Sequence, residues 1–275
     1  MSTRSRITAY LEKSNDVFFV VFSVIAAFCT YSCMYAMRKP IAAATFSGLT
    51  AWGMDYKILL LILQVIGYAL SKFIGIKVVS EATKERRAMM IVLTIGVAGI
   101  ALLLFALIPP PYNVIMLFFN GIPLGLVWGL VFSYLEGRKY TEILGAGLSI
   151  SFIFSSGFVK SVGKMLMLNY GISEFWMPFL TGAIFFIPLI ISVWLLNQIP
   201  EPDEKDIEFR TKREPMTSEM RREFFKKFAG GLIFLIISYT ALTVIRDFRD
   251  NFAADIWQAV GFGNSSDIFT LTEIP

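Results

Sequence analysis

Two cations, Arg38 and Lys39, stand near the far end of a long apolar run, in the stretch YSCMYAMRKPIAAA from Tyr31 to Ala44. An ionisable side chain inside a membrane span is unfavourable by roughly 2.5 to 3.5 kcal/mol on insertion scales, so such residues mark functional sites. The chemistry open to a guanidinium at that depth is anion recognition, because its planar fork donates paired, charge-assisted hydrogen bonds to phosphate or carboxylate. On a continuous helix Tyr31, Met34 and Tyr35 share the face of Arg38 and bring two tyrosine hydroxyls to the same anion. Lys39 has a second reading, a long side chain snorkelling from the end of a span to the interface.

A second charged cluster, Arg246, Asp247, Arg249 and Asp250, interrupts the stretch SYTALTVIRDFRDNF. Arg246 and Asp250 are spaced i,i+4, which permits an internal ion pair neutralising a polar patch. The other reading turns Arg246 into a cavity, with Asp247 or Asp250 as counter-ion or proton-coupling carboxylate and Arg249 beside them. Lys160 and Lys164 are also i,i+4, the first deep enough to meet an anion, the second close enough to a span end to snorkel. Gln64, Tyr68, Asn120 and Trp128 either line a cavity or make hydrogen bonds within the core. With no His and only Cys29 and Cys33, the chain has neither a metal-ligand set nor a disulfide framework. Proton coupling would fall to Asp, Glu or Lys. Lacking a nucleophile with a base, a phosphate-cradling Gly loop or metal spacing, the sequence gives an enzymatic or ATP-driven reading nothing to stand on, and no cofactor is expected.

The elements that must carry these residues follow from composition. Of 275 residues 56% are hydrophobic and 17% charged, and apolar runs long enough to cross a hydrocarbon core recur along the chain. The expected fold class is an all-α polytopic membrane protein. Spans are predicted near 17–46, 56–79, 88–108, 114–135, 143–168, 175–197 and 228–257. Residues 1–16 form an amphipathic lead, 17–199 a block of six spans, 200–227 a charged linker whose last part reads as a surface helix, and 228–275 a further span and its tail. The fourth span carries Gly121, Pro123, Gly125 and Gly129, positions that let backbones approach closely. The net charge of +4 sits in short connections such as SEATKERR and EGRKYTE and in the linker cations Lys205, Arg210, Lys212 and Arg213, a pattern of topology and not of nucleic-acid binding. Glu136, Arg138, Lys139 and Glu142 read as a salt-bridge gate or topology signal. The basic connections all fall on one side if the N-terminus is cytoplasmic, as expected for a multi-pass protein of the cell (inner) membrane. The partners this implies are the bilayer and a small molecule, with no obligate protein partner evident.

Six spans, a charged linker and a further span form the layout of the major facilitator superfamily, a resemblance which implies that 17–199 is a six-helix half and 228–275 the start of a second. Within it, Tyr35, Arg38 and Lys39 followed by an Ala-rich turn resemble the Y-x-x-R-K signature on the first helix of the organophosphate:phosphate antiporters, the glycerol-3-phosphate and hexose-phosphate transporter family. The resemblance implies a phosphate-binding Arg on helix one and a second on helix seven, where Arg246 stands, and it implies exchange of a phosphorylated metabolite by alternating access. The tail NSSDIFTLTEIP is similar to the loop into the eighth helix. Two departures mark a divergent member: Phe152 among serines where the family has a helix-five His, and Ser71, Lys72 and Lys77 where an Asp and Arg are usual. The superfamily fold has about twelve spans, so five more are expected beyond Pro275. Two other readings remain open: a membrane sensor that binds such a ligand without carrying it, and a proton-coupled carrier of a neutral solute relying on Asp247 or Asp250.

Overall fold

The computed structural model describes residues 5–204, 206 and 217–273; Arg4, the linker cations Lys205, Arg210, Lys212 and Arg213, and Pro275 lie outside the described residues. A short helix α1 (Arg6–Leu11) precedes six helices that fold on one another: α2 (Asp16–Tyr35), α3 (Tyr56–Ser80), α4 (Lys84–Leu107), α5 (Ile115–Phe132), α6 (Thr141–Tyr170) and α7 (Met177–Leu196). The long α8 (Ser218–Asn251) follows, then two short helices, α9 (Ala253–Ala259) and α10 (Ile268–Leu271). Seven of these helices, α2 to α8, are long and apolar enough to cross a membrane, and the chain is an all-α multi-pass membrane protein.

Helix starts are set by side-chain caps at sequence-legible positions. Asn15 accepts from Phe18 N at 2.8 Å, Asp55 from Ile58 N at 3.1 Å and Thr217 from Met220 N at 3.2 Å. Between α2 and α3 the chain makes a 3-10 helix (Pro40–Ala43) and a minimal hairpin, β1 (Thr50–Ala51) against β2 (Met54–Asp55), paired Thr50 to Asp55 and Ala51 to Met54. Its two-residue turn, Trp52–Gly53, has φ of 50° and 80°, the left-handed pair that matches the twist of a tight hairpin. Beneath it Phe46, Tyr56, Phe105 and Phe175 pack together, edge to face in the Phe46–Phe105 and Tyr56–Phe175 pairs and tilted in the others, closing that end of the bundle with aromatic rings.

The closest helix pair is α3 with α5. A Cβ built on Gly67 would lie 2.2 Å from Phe118 O, and one on Gly121 2.3 Å from Gln64 O, so only glycine lets the two backbones touch. This rigid pair presents Gln64, Tyr68 and Asn120 towards the end of α2.

Two predicted spans end elsewhere than expected. The first helix stops at Tyr35 and not near Phe46: Pro40 has no N–H to bond Ala36 O, and the Tyr35 carbonyl instead accepts from both Arg38 N (3.0 Å) and Lys39 N (2.9 Å). The seventh begins at Ser218, ten residues before Phe228, so the predicted surface helix and span are one helix, and it breaks at Phe252 before α9. No residue of α8 is buried; its C-terminal end alone is tied into the six-helix bundle by the charges described below.

Candidate functional site

Because α2 unwinds at Tyr35, Arg38 stands on a turn and not on the helical face it was expected to share with Tyr31, Met34 and Tyr35. Its guanidinium lies over the Tyr68 ring of α3, 4.1 Å from the centroid, while Nε is buried without a hydrogen-bond partner. Lys72, one turn further along α3, covers the same ring with its Nζ 4.6 Å from the centroid. Among the described residues neither cation has an ion-pair partner. Tyr31 and Tyr35 remain near: their rings meet at 5.5 Å, and both feel the charge of Arg38. Tyr31 also packs on Phe152, at 5.2 Å between rings.

A second cluster forms around Asp250. Its carboxylate accepts from Lys39 Nζ of the turn and, at 2.6 Å each, from Lys160 Nζ and Ser156 Oγ of α6. Lys39 Nζ also donates to Asn251 Oδ1 at 3.1 Å, and Lys160 Nζ to the Asp250 carbonyl at 3.2 Å. The side chains are 10% (Lys39), 1% (Lys160) and 12% (Asp250) exposed, so two ammonium groups share one carboxylate away from water. Of the two readings of Lys39, anion contact and snorkelling to the interface, the second does not occur; its side chain turns inward to α8. Lys57, at the start of α3, makes a parallel tie to Asp255 of α9 at 2.5 Å. Behind Lys160 lies a cavity of about 280 Å³ lined by Arg249, Trp257, Phe269 and Glu273, apart from Arg38.

The i,i+4 ion pair read between Arg246 and Asp250 is not formed, because Asp250 is taken by the two lysines. Arg246 pairs with its neighbour Asp247, Nε at 3.2 Å and one terminal nitrogen at 3.1 Å, and its side chain is 60% exposed. Arg249 reaches forward to Glu273, with contacts of 2.8 and 3.0 Å. Gln64 and Asn120 are buried and hydrogen-bonded to one another at 2.8 Å, while Trp128 stacks on Phe132 at 4.8 Å.

At the opposite end of the bundle Arg138 is buried under the start of the linker, where it donates to Pro200 O and pairs with Asp206 at 3.6 Å. Burial draws Arg138 below its usual range, opposed by the charges of Asp206 and Asp203. Lys139 is paired with Asp16 at 3.8 Å. These contacts tie three connections together and lie far along the helices from Arg38.

Sequence reading left Lys72 as a mere motif departure and gave no role to Ser156, Asn251, Lys57 or Asp255. The i,i+4 spacing of Tyr68 and Lys72 within an apolar helix was the available signal for the first. The others meet their partners only through folding across 94 to 212 residues of chain, which no spacing encodes.

Fold and site together define a multi-pass helical membrane protein with an excess of cations gathered between its spans. The chain belongs to the family of unknown function DUF5690, which it matches over residues 40–275, beginning one position after Lys39. No curated protein and no solved structure matches it.

Proposed function

We propose that this protein is a secondary active transporter of the major facilitator type, carrying an organic anion, most simply a phosphorylated metabolite exchanged for phosphate, by alternating access. The observation that carries this reading is the charge imbalance between the spans. Arg38, partly buried, and Lys72, exposed, flank one tyrosine ring with no acidic ion-pair partner among the described residues, and the buried Lys39 and Lys160 share a single carboxylate. Uncompensated charge in a low-dielectric interior is unfavourable, and a bound anion is the species that relieves it. Arg38, Lys72 and the hydroxyls of Tyr31, Tyr35 and Tyr68 supply donors from the six-helix bundle, and Arg246 supplies a second guanidinium from α8. An empty carrier whose cations repel reorients reluctantly, whereas a bound anion removes that barrier; this is a physical basis for exchange.

The end bearing Lys84, Arg86, Arg87, Arg138 and Lys139 is the cytoplasmic one in this reading, with the N-terminus on that side and the cell (inner) membrane as the location. The test is counterflow in proteoliposomes holding the full chain. Phosphate-loaded vesicles are expected to take up external labelled phosphate, and Arg38→Ala to abolish uptake. Phosphate binding that depends on Arg38 but shows no exchange would make the protein a sensor and overturn the carrier reading. Exchange that survives Arg38→Ala but loses its pH dependence in Asp247→Asn or Asp250→Asn would instead point to proton coupling.

A further inference from the structure

Arg38 sits on a turn, so no helix fixes its aim, and the carbonyls freed by the break must be held by something else. Side chains of two neighbouring spans hold them. Asn120 Nδ2 donates to Met37 O at 3.1 Å and to Ala98 O of α4 at 3.0 Å. Gln64 Nε2 donates to Asn120 Oδ1 at 2.8 Å and reaches Arg38 O at 3.4 Å. Asn120 is 0% exposed and Gln64 4%, so these amides work without water.

The frame behind them is stiff. Gly121, next to Asn120, lies against the backbone of Gln64, where a Cβ would come within 2.3 Å of the Gln64 carbonyl. Tyr68, one helical turn beyond Gln64, carries the guanidinium of Arg38. One face of α3 therefore grips Arg38 twice, its backbone through Gln64 and its side chain through Tyr68. Pro40 bars a regular helix across this point, so without the two amides Met37 O and Arg38 O would be left unsatisfied and the turn would rearrange to find other donors, moving Arg38 off the Tyr68 ring.

We infer that Gln64 and Asn120 are positioning residues for Arg38, a side-chain splint that satisfies the carbonyls of the turn imposed by Pro40 and so holds the guanidinium at the anion site. The inference rests on reading Arg38 as an anion ligand, and its test separates the two. Binding of inorganic phosphate to the full chain in nanodiscs is measured by calorimetry for Gln64→Met, which keeps the volume and removes the donors. Misplacement by about 1 Å can cost up to a hundredfold, and a loss of about tenfold is expected here. In an Arg38→Lys background, which keeps a cation and weakened binding but loses the guanidinium fork, the same change is expected to add little, because the residue acts through Arg38. An equal loss in both backgrounds would show that Gln64 serves only the fold, and the inference fails.

A second readout does not use the ligand. A nitroxide on Arg38→Cys, with Cys29→Ser and Cys33→Ser, is expected to be immobilised in the otherwise native chain and released by Gln64→Met or Asn120→Ala. An unchanged spectrum in the Gln64→Met chain, which is the variant least disruptive to packing, overturns the splint. Native phosphate binding by Arg38→Ala would instead remove the proposed function and leave the nitroxide result to decide the splint alone.

Discussion

Asp250 is the residue on which the structure changes most. Sequence spacing pairs it with Arg246 on its own helix, whereas the folded chain hands it to Lys39 and Lys160, 211 and 90 residues away. Such a site is asymmetric in its energetics: forming a buried pair gains little, but removing one member leaves a buried charge uncompensated. In Asp250→Asn two ammonium groups lose the one carboxylate that pairs with them among the described residues, and a destabilisation of about 3–5 kcal/mol is expected, read as a lowered unfolding temperature in detergent. Ser156→Ala removes one hydrogen bond to the same carboxylate and should cost about 1.5–3 kcal/mol by the same measurement. If both variants unfold like the native chain, the cluster is not closed in the membrane protein as it exists.

At the scale of elements, α3 and α5 are the frame, and glycine makes them so. Gly67→Ala and Gly121→Ala would drive a methyl group into backbone oxygens at 2.2 and 2.3 Å, so both are expected to abolish recovery of monodisperse protein. Gly96→Ala, on α4 with nothing within 4 Å of the added carbon, should be neutral or stabilising by up to about 1 kcal/mol. Size-exclusion profiles of the three variants check the contrast. How much of this was legible follows a physical line. Apolar runs fix where spans lie, caps such as Asn15 and Asp55 fix their starts, and Gly121 and Gly125 announce close packing, because each signal is local. The break at Tyr35 was missed because Pro40 is tolerated within membrane helices when neighbours satisfy the freed groups. Those neighbours, Gln64 and Asn120, are identified only by folding. The start of α8 differs for a related reason: the last part of the charged segment reads as a separate surface helix until the cap at Thr217 is seen to begin one helix that runs on into the span.

For the molecule as a whole, the segment after α8 closes one end of the six-helix bundle. Lys57, only 2% exposed, is held by Asp255 of α9; Ala253 and Ala254 of the same helix are buried; and Thr270 donates to Ser161 Oγ at 2.7 Å from its hydroxyl and 3.1 Å from its backbone N–H. The carrier reading requires this end to open in another state, and opening must part Lys57 from Asp255. That pair is a single contact, whereas Ala253, Ala254 and the Thr270–Ser161 bonds hold the same segment independently. Weakening the tie should therefore shift the population towards the open state and leave the fold intact. The reporter is Ala254→Cys, in a chain with Cys29→Ser and Cys33→Ser, probed with a membrane-impermeant maleimide. Lys57→Gln is expected to raise its labelling rate about tenfold, which corresponds to roughly 1.4 kcal/mol of altered balance between the states. Lys84→Gln, which weakens the 3.8 Å pair with Glu201 at the opposite end, should leave the rate unchanged. A rate insensitive to Lys57→Gln would mean that α9 is a fixed part of the bundle and that this end does not open by parting these two residues.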